Sequence, residues 1–252
     1  MTQNYISVTI SGTLVATVRT LYDLGCRQAL TGKVLRKGVN NYTDYALAAY
    51  ITAVAAVEAF VNEALLGGPA QVLTRGSAIW SLRREWLDKL ELRDKMILLT
   101  QLLFGYSLDP SRQPLQDFVL LLKVRNQVVH YRTGPPPKFL KEFITRDIAL
   151  DSQTKKAHPE LAQVLAFDMG CTEGIRWAHN ASSRIVHDLV SSIPIDEAVY
   201  LERAASSIAQ IENFRFLHAH ASESARNFFE ITDADARSLY AELGLDPDDS
   251  HP

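Results

Sequence analysis

Three residues near the middle of the chain have side chains that together could perform acid-base and phosphate chemistry: Arg125, Asn126 and His130. Histidine transfers protons near neutral pH, arginine donates paired hydrogen bonds to phosphate oxygens, and asparagine can orient either partner. They lie in segment 120–132, which has apolar residues at helical spacing and is followed by Gly134 and three prolines. Because Gly and Pro end helices, the pattern predicts one helix with His130 in its last turn.

On a helical wheel of about 100° per residue, Asn126 and His130 lie one turn apart on a polar face that also carries Lys123. Arg125 lies about 140° from His130 on the same wheel. The Arg125 guanidinium and the His130 imidazole can therefore meet only if the long Arg side chain bends round, the helix bends, or a second subunit supplies one of the two groups. An ordinary amphipathic helix with solvated polar residues is the alternative explanation.

Two apolar helical patterns precede this segment and would have to position it. The first, from about 43 to 66, is rich in alanine and nearly long enough to span a bilayer, but Glu58, Asn62 and Glu63 interrupt it, which favours a buried core helix. Glu58 must face water, form an ion pair or assist the polar segment. The second pattern, 98–105, leads through a Gly- and Pro-containing loop towards the Arg–His segment.

The order Arg125-Asn126, three further residues and His130 resembles the Arg-polar-x-x-x-His signature of the HEPN superfamily of helical nucleotide-binding domains. The two preceding helical patterns also resemble the helices of that superfamily. The resemblance covers roughly residues 42 to 190. It implies an all-α multi-helix bundle that dimerises across the motif helix. Residues 1–41 would then be an N-terminal helical extension of a single domain, and 191–252 a C-terminal helix and acidic tail.

The resemblance also implies a metal-independent endoribonuclease that uses no cofactor. Attack of the RNA 2′-hydroxyl on the adjacent phosphorus would give a 2′,3′-cyclic phosphate and a 5′-hydroxyl. Arg125 would hold the phosphate oxygens, Asn126 would position the phosphate or the histidine, and His130 would transfer a proton. Glu58 and Lys123 are the supporting candidates. Such an enzyme could serve as a toxin or phage-defence effector restrained by an antitoxin or another regulatory protein.

Composition limits how such a protein could bind RNA. The chain has 252 residues, of which 47% are hydrophobic and 22% charged, and its net charge is -3. This argues against a protein that coats nucleic acid by bulk attraction, so RNA contact must be local. Arg83, Arg84 and Arg132 are the weaker RNA-contact candidates.

Cysteine and histidine spacing predicts no metal site, because the two cysteines are far apart and no His, Cys and carboxylate set has ligand spacing. Reduced cysteines and the lack of a secretory signal pattern favour the cytoplasm, and no membrane association is expected. The β-branched residues of 5–18 fit either a hairpin or a helix, and the apolar spacing out to Gly25 favours the helix.

Two other hypotheses remain compatible with the sequence. The chain could be a catalytically silent HEPN-like module that binds RNA, a nucleotide or a partner protein without turnover. It could also be an unrelated helical protein in which Arg125 forms a structural ion pair.

Overall fold

The computed structural model of the protein describes residues 9–31, 42–65, 89–104, 108–130, 172–193, 219 and 221–244. Within these ranges every regular element is helical and none is a strand, which confirms the predicted all-α class. The α-helices are α1 (Ile10–Thr31), α2 (Tyr42–Phe60), α3 (Leu92–Phe104), α4 (Gln113–Val129), α5 (Thr172–Ser191) and α6 (Asp233–Glu242). A π-helical turn, Val61–Leu65, continues α2, and residues 221–225 form a short helix.

The chain forms two compact units. Unit 1 comprises Met1–Leu14, Ala55–Val119 and Ser182–Phe228, and unit 2 comprises Val15–Val54, Leu120–Ala181 and Phe229–Pro252. The prediction of one domain with a core at 42–190 stays a prediction.

Unit 1 has an apolar core and a polar tie at the start of α1. Phe60 and Phe228 are fully buried and meet edge to face, with ring centroids 5.7 Å apart. The Glu63 carboxylate, from the π-helical turn, accepts hydrogen bonds from the Ile10 amide at 2.9 Å and the Ser11 hydroxyl at 2.7 Å. An anion at this place satisfies free N–H groups of the first helical turn and interacts favourably with the helix dipole.

Unit 2 packs parts of α1, α2, α4 and α5 with α6. Gly25 permits a close approach here, because a Cβ at that position would lie 3.1 Å from the Ile175 Cδ1 atom. The buried apolar side chains of this unit include Val15, Val18, Tyr22, Cys26, Ala46, Ala49, Tyr50, Ala53, Leu120, Leu121, Val124, Ile175, Ala178, Ile231 and Ala236.

Helix α2 accounts for the long apolar stretch. The segment Asp44–Glu63 is long and apolar enough to cross a membrane, but half of its most apolar window is buried inside the protein. Ala46, Ala49 and Ala53 are fully buried, as expected where small residues let helices approach closely. These features support a core helix, and a cytoplasmic location stays a prediction.

Three sequence expectations can be compared directly with the helix bounds. Helix α1 begins at Ile10, so the helix rather than the hairpin is correct from that residue onward. Helix α4 ends at Val129, which places His130 one residue beyond the helix and not in its last turn. Of the predicted C-terminal helix and acidic tail, 191–252, the described residues include the helix 221–225 and α6, with a turn at 226–227 between them.

Candidate functional site

The first candidate site is the C-terminal end of α4. A turn precedes the helix, in which the Asp109 carboxylate accepts hydrogen bonds from the Ser111 amide at 2.8 Å and hydroxyl at 2.6 Å, and these bonds lower the pKa of Asp109. The buried residues Leu115, Phe118, Leu121 and Val124 recur at helical spacing and fix the orientation of α4. Lys123 and Asn126, in the last two turns, therefore project away from the core.

His130 and Asn126 share the exposed face at this end. Both residues are exposed, and the His130 backbone N–H donates to the Asn126 carbonyl oxygen at 2.9 Å. This bond continues the helical pattern by one residue, so the two side chains stand one turn apart on the same face. An imidazole and a carboxamide are thus presented to solvent at a fixed separation along the chain.

Arg125 lies in a different environment on the same helix. It is half-buried, and its Nε is fully buried with no hydrogen-bond partner among the described residues. No hydrogen bond or ion pair between described residues joins Arg125 to Asn126 or His130. The structure therefore brings Asn126 and His130 to one face and holds the guanidinium partly against the protein, as the helical wheel predicts.

Of the other predicted site residues, the structure describes two and leaves three outside its described ranges. Glu58 and Lys123 are exposed, on α2 and α4 respectively. Neither makes an ion pair with a described residue. Arg83, Arg84 and Arg132, the weaker RNA-contact candidates, lie outside the described residues.

A second polar region joins α5 to the segment before α6, and sequence reasoning missed it. The Asn180 side chain is buried, accepts a hydrogen bond from the Ile231 amide at 2.7 Å and donates one to the Ile231 carbonyl oxygen at 3.0 Å. The Arg176 Nε donates to the same oxygen at 3.0 Å, and its Nη2 contacts Asp233. We call this set of contacts the α5–α6 clasp: Arg176, Asn180, Ile231 and Asp233.

Helix α6 begins directly after the clasp and has a capping box. The Thr232 hydroxyl accepts from the Asp235 amide at 3.1 Å, and the Asp235 carboxylate accepts from the Thr232 amide at 2.9 Å. The hydrogen bonds that the Thr232 amide and hydroxyl donate to the carboxylate lower the pKa of Asp235. The spacing Thr, two residues, then an acidic residue is a known helix-start signal, so this helix could have been predicted from the sequence.

A buried histidine packs beside the clasp. His179 is 1% exposed, and its Nδ1 has no hydrogen-bond partner among the described residues. Burial lowers the pKa of His179 to about 4; Asn180 and Glu230 oppose this change and Arg19 adds to it. Its ring meets Phe229 edge to face with centroids 6.4 Å apart, and the Arg19 guanidinium carbon lies 4.9 Å from the Phe229 ring centre. His179 is thus neutral near pH 7, with its ring packed inside the protein.

Buried hydroxyl and thiol groups lie nearby in unit 2. Burial raises the pKa of Cys26 to about 11 and that of Tyr240 to about 12, and raises the pKa of Tyr22 well above its ordinary value. The Tyr22 hydroxyl lies beside the Cys26 thiol, but the hydroxyl makes no hydrogen bond of normal geometry with a described residue. These groups stay protonated at neutral pH, so Cys26 is not an activated nucleophile.

A small cleft of about 170 Å³ opens between α1 and α6. Burial raises the pKa of Asp23 in this cleft; Arg19 and Arg27 oppose the change, and Glu242 adds to it. Asp235, on the opposite wall, is already bound by Thr232 and lies 3.8 Å from Arg19. The cleft walls thus carry partly compensated charges. Its lining residues are Arg19, Tyr22, Asp23, Ile231, Asp235, Ser238, Leu239 and Glu242.

Comparison with known proteins found no related protein. No family model, curated protein or solved structure matches this chain. Within the part of the chain that the structure describes, no group of three or more His, Cys, Asp or Glu side chains could hold a metal ion. The resemblance to the HEPN superfamily thus rests on the motif and its helical setting.

Proposed function

We propose that the protein is a metal-independent endoribonuclease whose catalytic groups are Arg125, Asn126 and His130, acting in a homodimer with a HEPN-like fold. The observation that carries the proposal is the end of α4. An exposed imidazole and an exposed carboxamide stand one turn apart there, next in sequence to an arginine whose buried Nε has no partner among the described residues.

The environment of Arg125 supports its assignment as a phosphate-binding residue, in addition to its position in the sequence. A buried donor without a partner costs about 1–3 kcal/mol, and native proteins leave few of them. Partial burial also restricts the long side chain, which lowers the entropy lost when it binds an anion. In the proposed complex, the two Nη groups of Arg125 would donate to non-bridging phosphate oxygens.

The proposed reaction is a transesterification within RNA. The 2′-oxygen forms a bond to phosphorus while the bond from phosphorus to the 5′-oxygen breaks, which gives a 2′,3′-cyclic phosphate and a 5′-hydroxyl. In the dimer, the neutral His130 of one copy takes the 2′-hydroxyl proton, and the protonated His130 of the other gives a proton to the departing 5′-oxygen. Arg125 stabilises the added negative charge on the phosphate, and Asn126 orients it.

A catalytically silent HEPN-like module that binds RNA, a nucleotide or a partner protein is the second candidate. The observation that favours it is the lack of any hydrogen bond among the Arg125, Asn126 and His130 side chains. A toxin or phage-defence role under a regulatory partner belongs to the first candidate and would follow only from demonstrated cleavage.

The test is RNA cleavage in EDTA by the purified protein, with analysis of the fragment ends. Cyclic-phosphate ends from the unmutated protein, and none from His130→Ala or Arg125→Ala, would support the enzyme. Arg125→Lys is the matched variant, because it keeps the charge but loses the paired donors. Light scattering on the same samples reports the dimer.

Two outcomes would decide against the enzyme. Cleavage that persists in His130→Ala at the unmutated rate would show that these residues do not perform the chemistry. RNA binding without cleavage, by folded and dimeric protein, would favour the second candidate.

A further inference from the structure

The exposed polar face of α4 is longer than the catalytic residues require. Lys123, Asn126 and His130 are all exposed, whereas Leu121 and Val124 on the same helix are fully buried. Resting on the proposed function, we infer that Lys123 binds a second phosphate, flanking the one that is cleaved. The site then takes an RNA strand with at least two phosphates and does not turn over a dinucleotide efficiently.

Helix geometry sets the separation of the two contacts. Lys123 and His130 are seven residues apart, which corresponds to a rise of roughly 10 Å along one face of a helix. When both side chains project straight out from the helix, the ammonium group and the imidazole are separated by about this rise, so neighbouring phosphates of one strand suit them better than a single phosphate does. The flexible Lys stem lets its ammonium group follow a strand that runs along the helix.

Local charge favours a polyanion on this face. No Asp or Glu occurs from Phe118 to His130, although the whole chain has a net charge of -3. The preceding carboxylate, Asp117, is buried, accepts a hydrogen bond from Gln113 at 2.8 Å and lies 3.9 Å from Arg184. It is therefore turned into the protein, and the Lys123 ammonium makes no ion pair with any described residue.

The test measures binding without cleavage, so that its result does not depend on catalysis. The probe is a fluorescent 2′-deoxy hexanucleotide, which lacks the attacking hydroxyl, and anisotropy gives its affinity from low to physiological salt. We expect Lys123→Gln to reduce the slope of log affinity against log salt concentration by about 0.7, the value for one phosphate contact on a single strand. Lys123→Arg should keep the slope.

Two controls make the result specific to this position. Lys89→Gln removes an exposed lysine outside the α4 face and should leave the slope unchanged. A 2′-deoxy dinucleotide, with its single phosphate, should bind the unmutated protein and Lys123→Gln equally.

The outcomes separate this inference from the proposed function. Equal slopes for Lys123→Gln and the unmutated protein, an equal loss in Lys89→Gln, or no binding of the hexanucleotide would each overturn the inference. A slope that depends on Lys123 in a protein that cleaves no RNA would uphold the phosphate contact and count against the ribonuclease.

Discussion

The end of α4 and the α5–α6 clasp use similar residue types in opposite ways. At the end of α4, Asn126 and His130 are exposed and their side chains bind no other described residue. In and beside the clasp, Asn180 and His179 are buried, and Asn180 holds both backbone groups of Ile231. An Asn and a His near each other in sequence therefore indicate chemistry only when the fold leaves them accessible.

The largest expected effect is on cleavage by His130→Ala. If the end of α4 is catalytic, the rate of RNA cleavage should fall by roughly 10²–10⁴-fold, the usual range for loss of a general acid or base. The free energy of unfolding should change by less than about 0.5 kcal/mol, because the side chain is exposed. Cleavage assays and urea unfolding measure the two effects, and a large loss of stability would show that His130 is structural.

Asn180→Ala should have the largest effect on stability. It removes two hydrogen bonds to Ile231 and leaves the Ile231 amide buried without a partner, while Arg176 still donates to the carbonyl oxygen. We expect a loss of roughly 2–3 kcal/mol in urea unfolding. Asn126→Ala is the matched control and should change stability by less than about 0.5 kcal/mol. Equal losses for the two variants would contradict the contrast between the regions.

The pH dependence of stability should report His179. Burial lowers its pKa from 6.5 to about 4, so between these values the unfolded chain binds a proton that the folded protein does not. Stability from this group is complete above pH 6.5 and is lost as the pH falls towards 4. At about 1.4 kcal/mol for each pH unit, the loss approaches roughly 3 kcal/mol.

Urea unfolding of the unmutated protein and His179→Leu at several pH values between 4.5 and 7 measures this contribution. The difference between their slopes isolates His179 from other titrating groups. Parallel slopes for the two proteins would show that His179 can be protonated without unfolding.

The smallest expected effect is at the start of α6. Thr232→Ala removes the hydroxyl that accepts from the Asp235 amide and should cost about 1 kcal/mol, whereas Thr232→Ser should keep most of the stability. Thermal unfolding can resolve the two variants. A loss in Ser equal to that in Ala would assign the effect to the Thr methyl group and not to the cap.

Local patterns predicted much of the helical architecture and the face of α4. The helical spacing of apolar residues placed Lys123, Asn126 and His130 on one polar face, and all three are exposed. The capping box at Thr232 is visible in the sequence and could have predicted α6, which the apolar spacing did not. The error at His130 is a single residue and reflects the frayed ends of helices, where dihedral angles change gradually.

The clasp could not be predicted in this way. Asn180 and Ile231 are 51 residues apart, and no local pattern shows which backbone groups a polar side chain will bind. The same holds for the buried Nε of Arg125 and for the low pKa of His179, which depend on neighbours from other helices.

The sequence by itself determined the helical class, the apolar core of α2 and the polar face of α4, because periodicity fixes which side of a helix is buried. Only the tertiary structure decided which polar residues became accessible and which became structural. His179 and His130 are the same residue type, yet packing from other helices buries the first, while the end of α4 leaves the second in solvent. Solvation, which depends on the whole fold, makes that difference.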